Sequence, residues 1–490
     1  MDTIPLLTLT IFLPLAGALA ILLFKPGDHR SIFTIGLTAS GLALLSSLLI
    51  WLRGIPAGFS QLEEVSWIPS LGASYKLGVD GISFPLLLLS TILFFTSLIY
   101  SKKIKKKPGP FVALFLLLET ACLGVFLSLD LLLFYVFFEV TLVGMYFIIA
   151  GWGHERRKQA ALMFFIYTLV GSLFLLLALL SIYLHTDPLT FDMTKIIAAP
   201  PLKGLAAALT FWGLFIAFAI KTPLFPFHTW LPAAHTEAPA PGSAILAGIL
   251  LKLGTYGFIR FALQMTPNAF REFAIYVIIF AVISAIYGAF VALAQTDIKR
   301  MVAYTSVNHM GYLILGVAAA AVIGAEHRTR ALDGAVLQMV SHGIVTGVLF
   351  LLVGSLQDRT ATREMSEING FLKINPVLSG FFILAAFASL GLPGLAHFPA
   401  EFQIFLGAFD RYPLAVGLTL IGLVITTALY LRAIQKVFMG ARPEGVESYP
   451  DLSGREWWSI APLIILIVVI GLFPESILSV INTTTKMLGL

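Results

Sequence analysis

Apolar residues run along this chain in long blocks separated by short polar stretches. A helix needs about 20 mostly apolar residues to cross the hydrocarbon core of a bilayer. Fourteen blocks meet that length, at roughly 4–24, 31–52, 81–101, 110–129, 131–151, 159–184, 205–230, 242–264, 272–295, 300–323, 332–356, 376–407, 413–438 and 457–481. The pattern predicts an all-α polytopic membrane protein of about fourteen transmembrane helices. The stretch 53–80, with Glu63, Glu64 and Trp67, reads as a long loop, and 102–107 reads KKIKKK. The amino-terminal run MDTIPLLTLTIFLPLAG has no basic start and no clear cleavage site, so it reads as a retained first helix.

Two spans are over-long and interrupted by proline. Pro223 and Pro226 in the seventh cannot donate to the carbonyls of Ala219 and Thr222, and Pro393 and Pro399 in the twelfth leave those of Ser389 and Leu395 free. Free carbonyls at membrane depth persist only where protein or water satisfies them. Paired broken helices point to inverted repeats around a transport path. The expected layout is three helices over 1–109, a first five-helix repeat over 110–265 (spans 4–8), a second over 266–440 (spans 9–13) and a last helix in 441–490.

Composition agrees. Charged residues make up 12% of the 490, and 58% are hydrophobic; soluble domains carry about 25% charged residues. The net charge of +5 gives no reason to expect nucleic acid, because the basic residues sit in short loops. With alternating sides, 19 Lys and Arg fall on the side of KKIKKK, 156–158, 299–300, 357–373 and 432–456, and 10 on the other; Lys221 and Lys252 lie between. The positive-inside rule then places both termini on the non-cytoplasmic side. The single cysteine, Cys122, excludes an intrachain disulfide and reads as a small buried hydrophobe. No dinucleotide fingerprint, phosphate loop or metal-spaced cluster is present, so the chain is expected to hold no metal and no redox cofactor.

The candidate chemistry is a set of ionisable side chains at membrane depth. A charge there costs about 3 kcal/mol or more and marks an ion or proton path. Lys221 stands two residues before Pro223, too deep to snorkel easily. Glu139 is mid-span on the fifth helix and is its expected partner. Lys252 is mid-span with no acid in its own helix. His309 and His342 fall mid-span on the tenth and eleventh helices, where imidazoles suit a proton shuttle. Glu401 follows the twelfth-helix break. Glu119, His228, His235 and His397 are secondary candidates; the alternatives for them are a structural or helix-capping role, and His397 has no assigned part.

With these residues placed, the chain resembles the subunit M family of the proton-pumping NADH:quinone oxidoreductase, respiratory complex I. The mitochondrial counterpart is called subunit 4, and cyanobacteria and chloroplasts carry counterparts of their own. The carriers are KLGVDGISFPLLLL (76–89), FYVFFEVTLVGMYF (134–147), AIKTPLFPFHTWLPAAHTEAP (219–239), ILAGILLKLGTYGFIRF (245–261), DIKRMVAYTSVNHMGY (297–312) and GLPGLAHFPAEF (391–402). The resemblance covers nearly the whole chain. It implies a lysine–glutamate pair (Lys221 and Glu139), a central lysine (Lys252), histidine relays (His309 and His342) and a terminal titratable group (Glu401). It also implies flavin, iron–sulfur clusters and quinone in partner subunits, neighbouring membrane-arm subunits including sister antiporter-like ones, and a bacterial inner or thylakoid-type energy-transducing membrane. Glutamate at 401 separates subunit M from its sisters and from multisubunit cation/proton antiporters, which usually carry lysine there. Two departures stand out. Ala233 replaces an acid in WLPAAH, and HFPAEF brings in His397 and Pro399. The run AEFQIF resembles variants of the cyanobacterial counterpart in complexes linked to carbon dioxide uptake. The rival readings are a Na+/H+ antiporter subunit, a structural scaffold, and a subunit of a hydrogenase- or ferredoxin-linked complex.

Overall fold

The structure, a computed structural model, describes residues 4–441 and 449–488. Residues 1–3 of the amino-terminal segment and 442–448 of the basic 432–456 stretch lie outside the described residues. Helices α1 (Leu6–Phe24), α2 (His29–Leu52), α3 (Ser83–Tyr100), α4 (Pro108–Leu127), α5 (Leu131–Trp152) and α6 (Arg157–Leu184) come first. A short α7 (Met193–Ala198) leads into α8 (Gly204–Lys221) and α9 (Trp230–Glu237). One continuous span follows: α10 (Ala240–Ile245), a π-helical turn Leu246–Leu250, α11 (Leu251–Gly257) and a second π-helical stretch Phe258–Leu263. Then come α12 (Pro267–Leu293), α13 (Ile298–Ala320), α14 (Ala325–Thr360) and the short α15 (Phe371–Ile374). The last described helices are α16 (Pro376–Ser389), α17 (His397–Phe409), α18 (Pro413–Ala433), α19 (Gly454–Leu472) and α20 (Glu475–Thr485).

Polar residues at the block boundaries set where helices begin. Asp28, Asp130 and Asp297 each accept backbone N–H groups in the first turn of the helix they precede, and Ser453 with Glu456 forms a capping box at α19. These contacts satisfy donors that have no partner inside the helix.

Among the described residues, twelve helices are long and apolar enough to cross a membrane. Two of the fourteen expected spans fall outside that set. The tenth, α13, is long enough but carries Lys299, Arg300, Asn308 and His309. The twelfth is split into α16 and α17, each too short. The last expected span, 457–481, is likewise divided at Phe473–Pro474 into α19 and the short α20. The 53–80 segment is not a loop. It folds as an antiparallel hairpin of β1 (Ser60–Ile68) and β2 (Ala73–Val79), with Gly72 at φ +65° in the turn. Its ladder and two register shifts hide the alternation that would have signalled strands. Lys76 in β2 pairs with Asp192, the cap of α7, at 2.9 Å.

The core is built around two spans. The most apolar stretches of Ala240–Leu263 and of α14 are wholly enclosed by the other helices. Around them, α1, α2, α6, α12 and α18 turn large aliphatic side chains outward, as lipid-facing helices do.

Candidate functional site

The site is assembled from the two enclosed spans, the two broken helices and α13. Lys252, on α11, is fully buried. Its Nζ donates to the Ala247 carbonyl at 2.6 Å and meets His342 Nδ1 of α14 at 2.5 Å. The π-helical turn just before Lys252 widens the helix, and its Ala247 carbonyl holds the ammonium. Such turns are common at functional sites. With Lys252 donating, His342 accepts on Nδ1 and carries its own hydrogen on Nε2, an atom with no protein partner.

His309, on α13, lies 5.5 Å from His342 between ring centroids. Its Nε2 donates to the Ser389 carbonyl at 2.9 Å. That carbonyl is one of those the proline break was expected to free, so the interrupted helix fixes the histidine's tautomer. The same Nε2 is 4.0 Å from Glu401 Oε1. Glu401, on α17, is 3% exposed and also takes a 3.3 Å hydrogen bond from Gln338. Gly391, in the break at φ +76°, leaves room for it: a Cβ there would stand 2.6 Å from Glu401 Oε2.

The predicted Glu139–Lys221 pair is not formed in this structure. Lys221 is buried at the end of α8 and points to Thr141 Oγ1 at 3.4 Å and the Phe138 ring at 4.7 Å, both on α5. Glu139 is half-buried, and its Oε1 has no hydrogen-bond partner. Helix geometry explains the separation. Phe138 and Thr141 share a face, whereas Glu139 stands on the neighbouring one with the exposed Val136 and Val143. Of the two carbonyls expected to be free at the α8 break, that of Ala219 accepts the Leu224 N–H, and the Trp230 indole donates to the neighbouring Ile220 carbonyl. The α8 break packs directly on the central span, since a Cβ on Gly254 would collide with Thr222 Oγ1.

The secondary candidates separate. Glu119 is buried on α4 and accepts a hydrogen bond from Ser40 at 2.9 Å, with no hydrogen bond to Lys221, Lys252, His309, His342 or Glu401. His228 lies among Phe225, Tyr287 and Tyr304. His235 stacks on Phe350 with both ring nitrogens unpartnered. His397 joins the central cluster. Its ring is 4.8 Å from His309 and 6.1 Å from His342. One ligand-type atom from each of His309, His397 and Glu401 lies within 4.8 Å of the others. No metal-spaced cluster was visible along the sequence because these residues come from two helices that meet only in space.

Sequence reasoning missed three features. Arg260 and Asp80 form a fully buried ion pair, with Asp80 also accepting N–H groups at the start of α3. Lys299, buried at the start of α13, donates to the Ala238 carbonyl at 2.6 Å. Near it, in the loop between α5 and α6, burial and then the charges of Lys299 and Arg363 push the His154 imidazole down to about 4. The signal for Arg260 was available, as another cation within an apolar span.

Comparison with known proteins agrees with this architecture. Residues 128–427 match the family described as NADH:quinone oxidoreductase/Mrp antiporter, TM. NADH-quinone oxidoreductase subunit M of Rickettsia prowazekii is 42% identical over 99% of both chains. A chain of respiratory complex I from Thermus thermophilus superposes with a TM-score of 0.89 at 33% identity, covering 99% of this chain and 100% of that one. A chain of the Mrp complex from Dietzia sp. shares the fold, with a TM-score of 0.85 at 21% identity over 99% of this chain and 97% of that one. The family match over residues 128–427 and full-length identity at this level mean that the chain belongs to the NADH:quinone oxidoreductase/Mrp antiporter membrane-subunit family, in its subunit M branch.

Proposed function

We propose that this chain is the antiporter-like M subunit of a complex I-type NADH:quinone oxidoreductase and moves protons across the energy-transducing membrane that holds it. The observation that carries the reading is the buried contact of Lys252 Nζ with His342 Nδ1, continued by His309 to Glu401. A proton enters from the cytoplasmic side, reaches Lys221, passes to Lys252, crosses His342 and His309, and leaves from Glu401. Flavin, iron–sulfur clusters and quinone belong to partner subunits, and redox chemistry there supplies the energy. The finer topology is fourteen spans, with α13 and the α16–α17 pair added to the twelve apolar helices, two inverted repeats (spans 4–8 and 9–13), and both termini outside.

The switch we propose is the Glu139–Lys221 distance. In contact, the carboxylate compensates the buried ammonium; apart, the ammonium bears the desolvation cost alone and gives up its proton. Transfer of one charge against ~150 mV requires about 3.5 kcal/mol. A change in one buried ion pair is of that size.

The test uses membrane vesicles carrying Lys221→Met, with assembly confirmed by native gel and with NADH:quinone turnover and proton uptake recorded together. Both are expected to collapse in the assembled complex. Wild-type values for both would favour a scaffold role. Intact NADH oxidation with loss of sodium-dependent exchange would identify an antiporter subunit.

A further inference from the structure

Among the buried titratable groups that this relay leaves without a task, His397 is the one that lies within its central cluster. It is 0% exposed, it opens α17 one turn before Glu401, and neither ring nitrogen has a hydrogen-bond partner. A buried polar group without a partner costs stability, so such an atom calls for a role. The orphan atoms around it follow a pattern. His342 presents an unpartnered Nε2 and His309 an unpartnered Nδ1, and the His397 ring lies near both. Glu401 completes the group, with one oxygen within 4.8 Å of a His397 nitrogen.

We propose that His397 is a second proton-transfer residue, forming a branch from His342 to Glu401 parallel to the one through His309. The proposal rests on the relay reading above. His342, protonated at Nδ1 by Lys252, releases its Nε2 proton to one nitrogen of His397. His397 then releases the proton on its other nitrogen to the Glu401 carboxylate. No electrons move, and one proton is gained and lost at each imidazole. The separations exceed a direct hydrogen bond, so each hop runs through one bridging water or a ring rotation. The same donors could be read as a divalent-metal site. Against that, His309 Nε2, the nitrogen 4.0 Å from Glu401, donates its hydrogen to the Ser389 carbonyl and so has no lone pair to offer a cation.

Parallel branches have a kinetic signature. In assembled complex in vesicles, His309→Gln alone and His397→Gln alone should each lower NADH-driven proton uptake only about two- to threefold. The double substitution should lower it about tenfold or more below either single variant, the scale on which loss of a proton-transfer group acts. His397→Phe in the His309→Gln background should be as poor as the double Gln variant, since phenyl keeps the ring volume but carries no proton. A double variant equal to His309→Gln, or equal to the product of the two single effects, overturns the branch. Recovery with phenylalanine overturns it in favour of packing, and stoichiometric zinc in the purified complex overturns it in favour of a metal site. Lys252→Met separates the two levels of the argument. If it pumps normally, the relay itself fails; if it is dead while the double variant behaves like His309→Gln, only the branch fails.

Discussion

Lys221 and Lys252 are similar on paper, each a lone lysine in an apolar span, yet their surroundings differ. Lys252 meets an imidazole and a carbonyl, whereas Lys221 meets a hydroxyl and an aromatic face. Outside the membrane, Lys76 and Asp192 show an ordinary ion pair at work. Burial disfavours the Lys76 ammonium, but the hydrogen bonds and charges of Asp192 and then Glu64 together outweigh it and hold the lysine above its usual range. Burial likewise opposes ionisation of Asp192, but Thr194 and Lys76 hold its carboxyl below the usual range. The Asp192 contribution is therefore present above about pH 4, its unfolded value, and is lost as pH falls through the lower folded value. The Lys76 contribution is present below about pH 10.4 and is lost as pH rises through the higher folded value. Thermal melting of the purified complex followed at the hairpin, by cleavage or hydrogen exchange, should show an acid-side loss that Asp192→Asn abolishes. An unchanged acid limb in that variant would remove the pair from the account.

At the scale of elements, the proline breaks were the most readable feature and the most productive one. The Ser389 carbonyl, predicted free from Pro393, is the acceptor that orients His309. The predicted free carbonyl of Ala219 is instead taken by Leu224, whose N–H reaches back five residues in a wide, π-type turn at the end of the helix. The π-helical turns beside Lys252 left no trace in the hydrophobic pattern, since one extra residue per turn does not alter apolarity. Gly391 allows a direct test of the break. Alanine there meets both a left-handed backbone and the Glu401 carboxylate, a strain of about 1–2 kcal/mol. Gly391→Ala should assemble but lose proton uptake out of proportion to its melting temperature. Normal pumping in that variant would mean that Glu401 can sit elsewhere at no cost.

On the scale of the whole molecule, the Arg260–Asp80 pair ties the central span to the start of α3, and Asp80 caps that helix as well. Removing one partner of a buried pair leaves an uncompensated charge, at about 3–5 kcal/mol. Arg260→Leu should therefore reduce the amount of assembled complex on native gels and lower its melting temperature. Turnover per assembled complex should remain near normal, because Arg260 pairs with Asp80 and not with any residue of the proposed relay. Normal assembly with lost turnover would instead place Arg260 in the proton path.

The apolar blocks, their interruptions and the depth of each ionisable residue were set by the sequence, because transfer into a bilayer depends on local composition and on backbone hydrogen bonds made within each segment. That is why Lys221, Lys252, His309, His342 and Glu401 were all legible. Which of them touch was decided by tertiary packing. Lys252 reaches His342 because two spans about 90 residues apart are enclosed together. Glu139 misses Lys221 because a helix places residues 139 and 141 on different faces. His397 enters the cluster because the broken helix folds back beside α13 and α14, an approach that no spacing along the chain records.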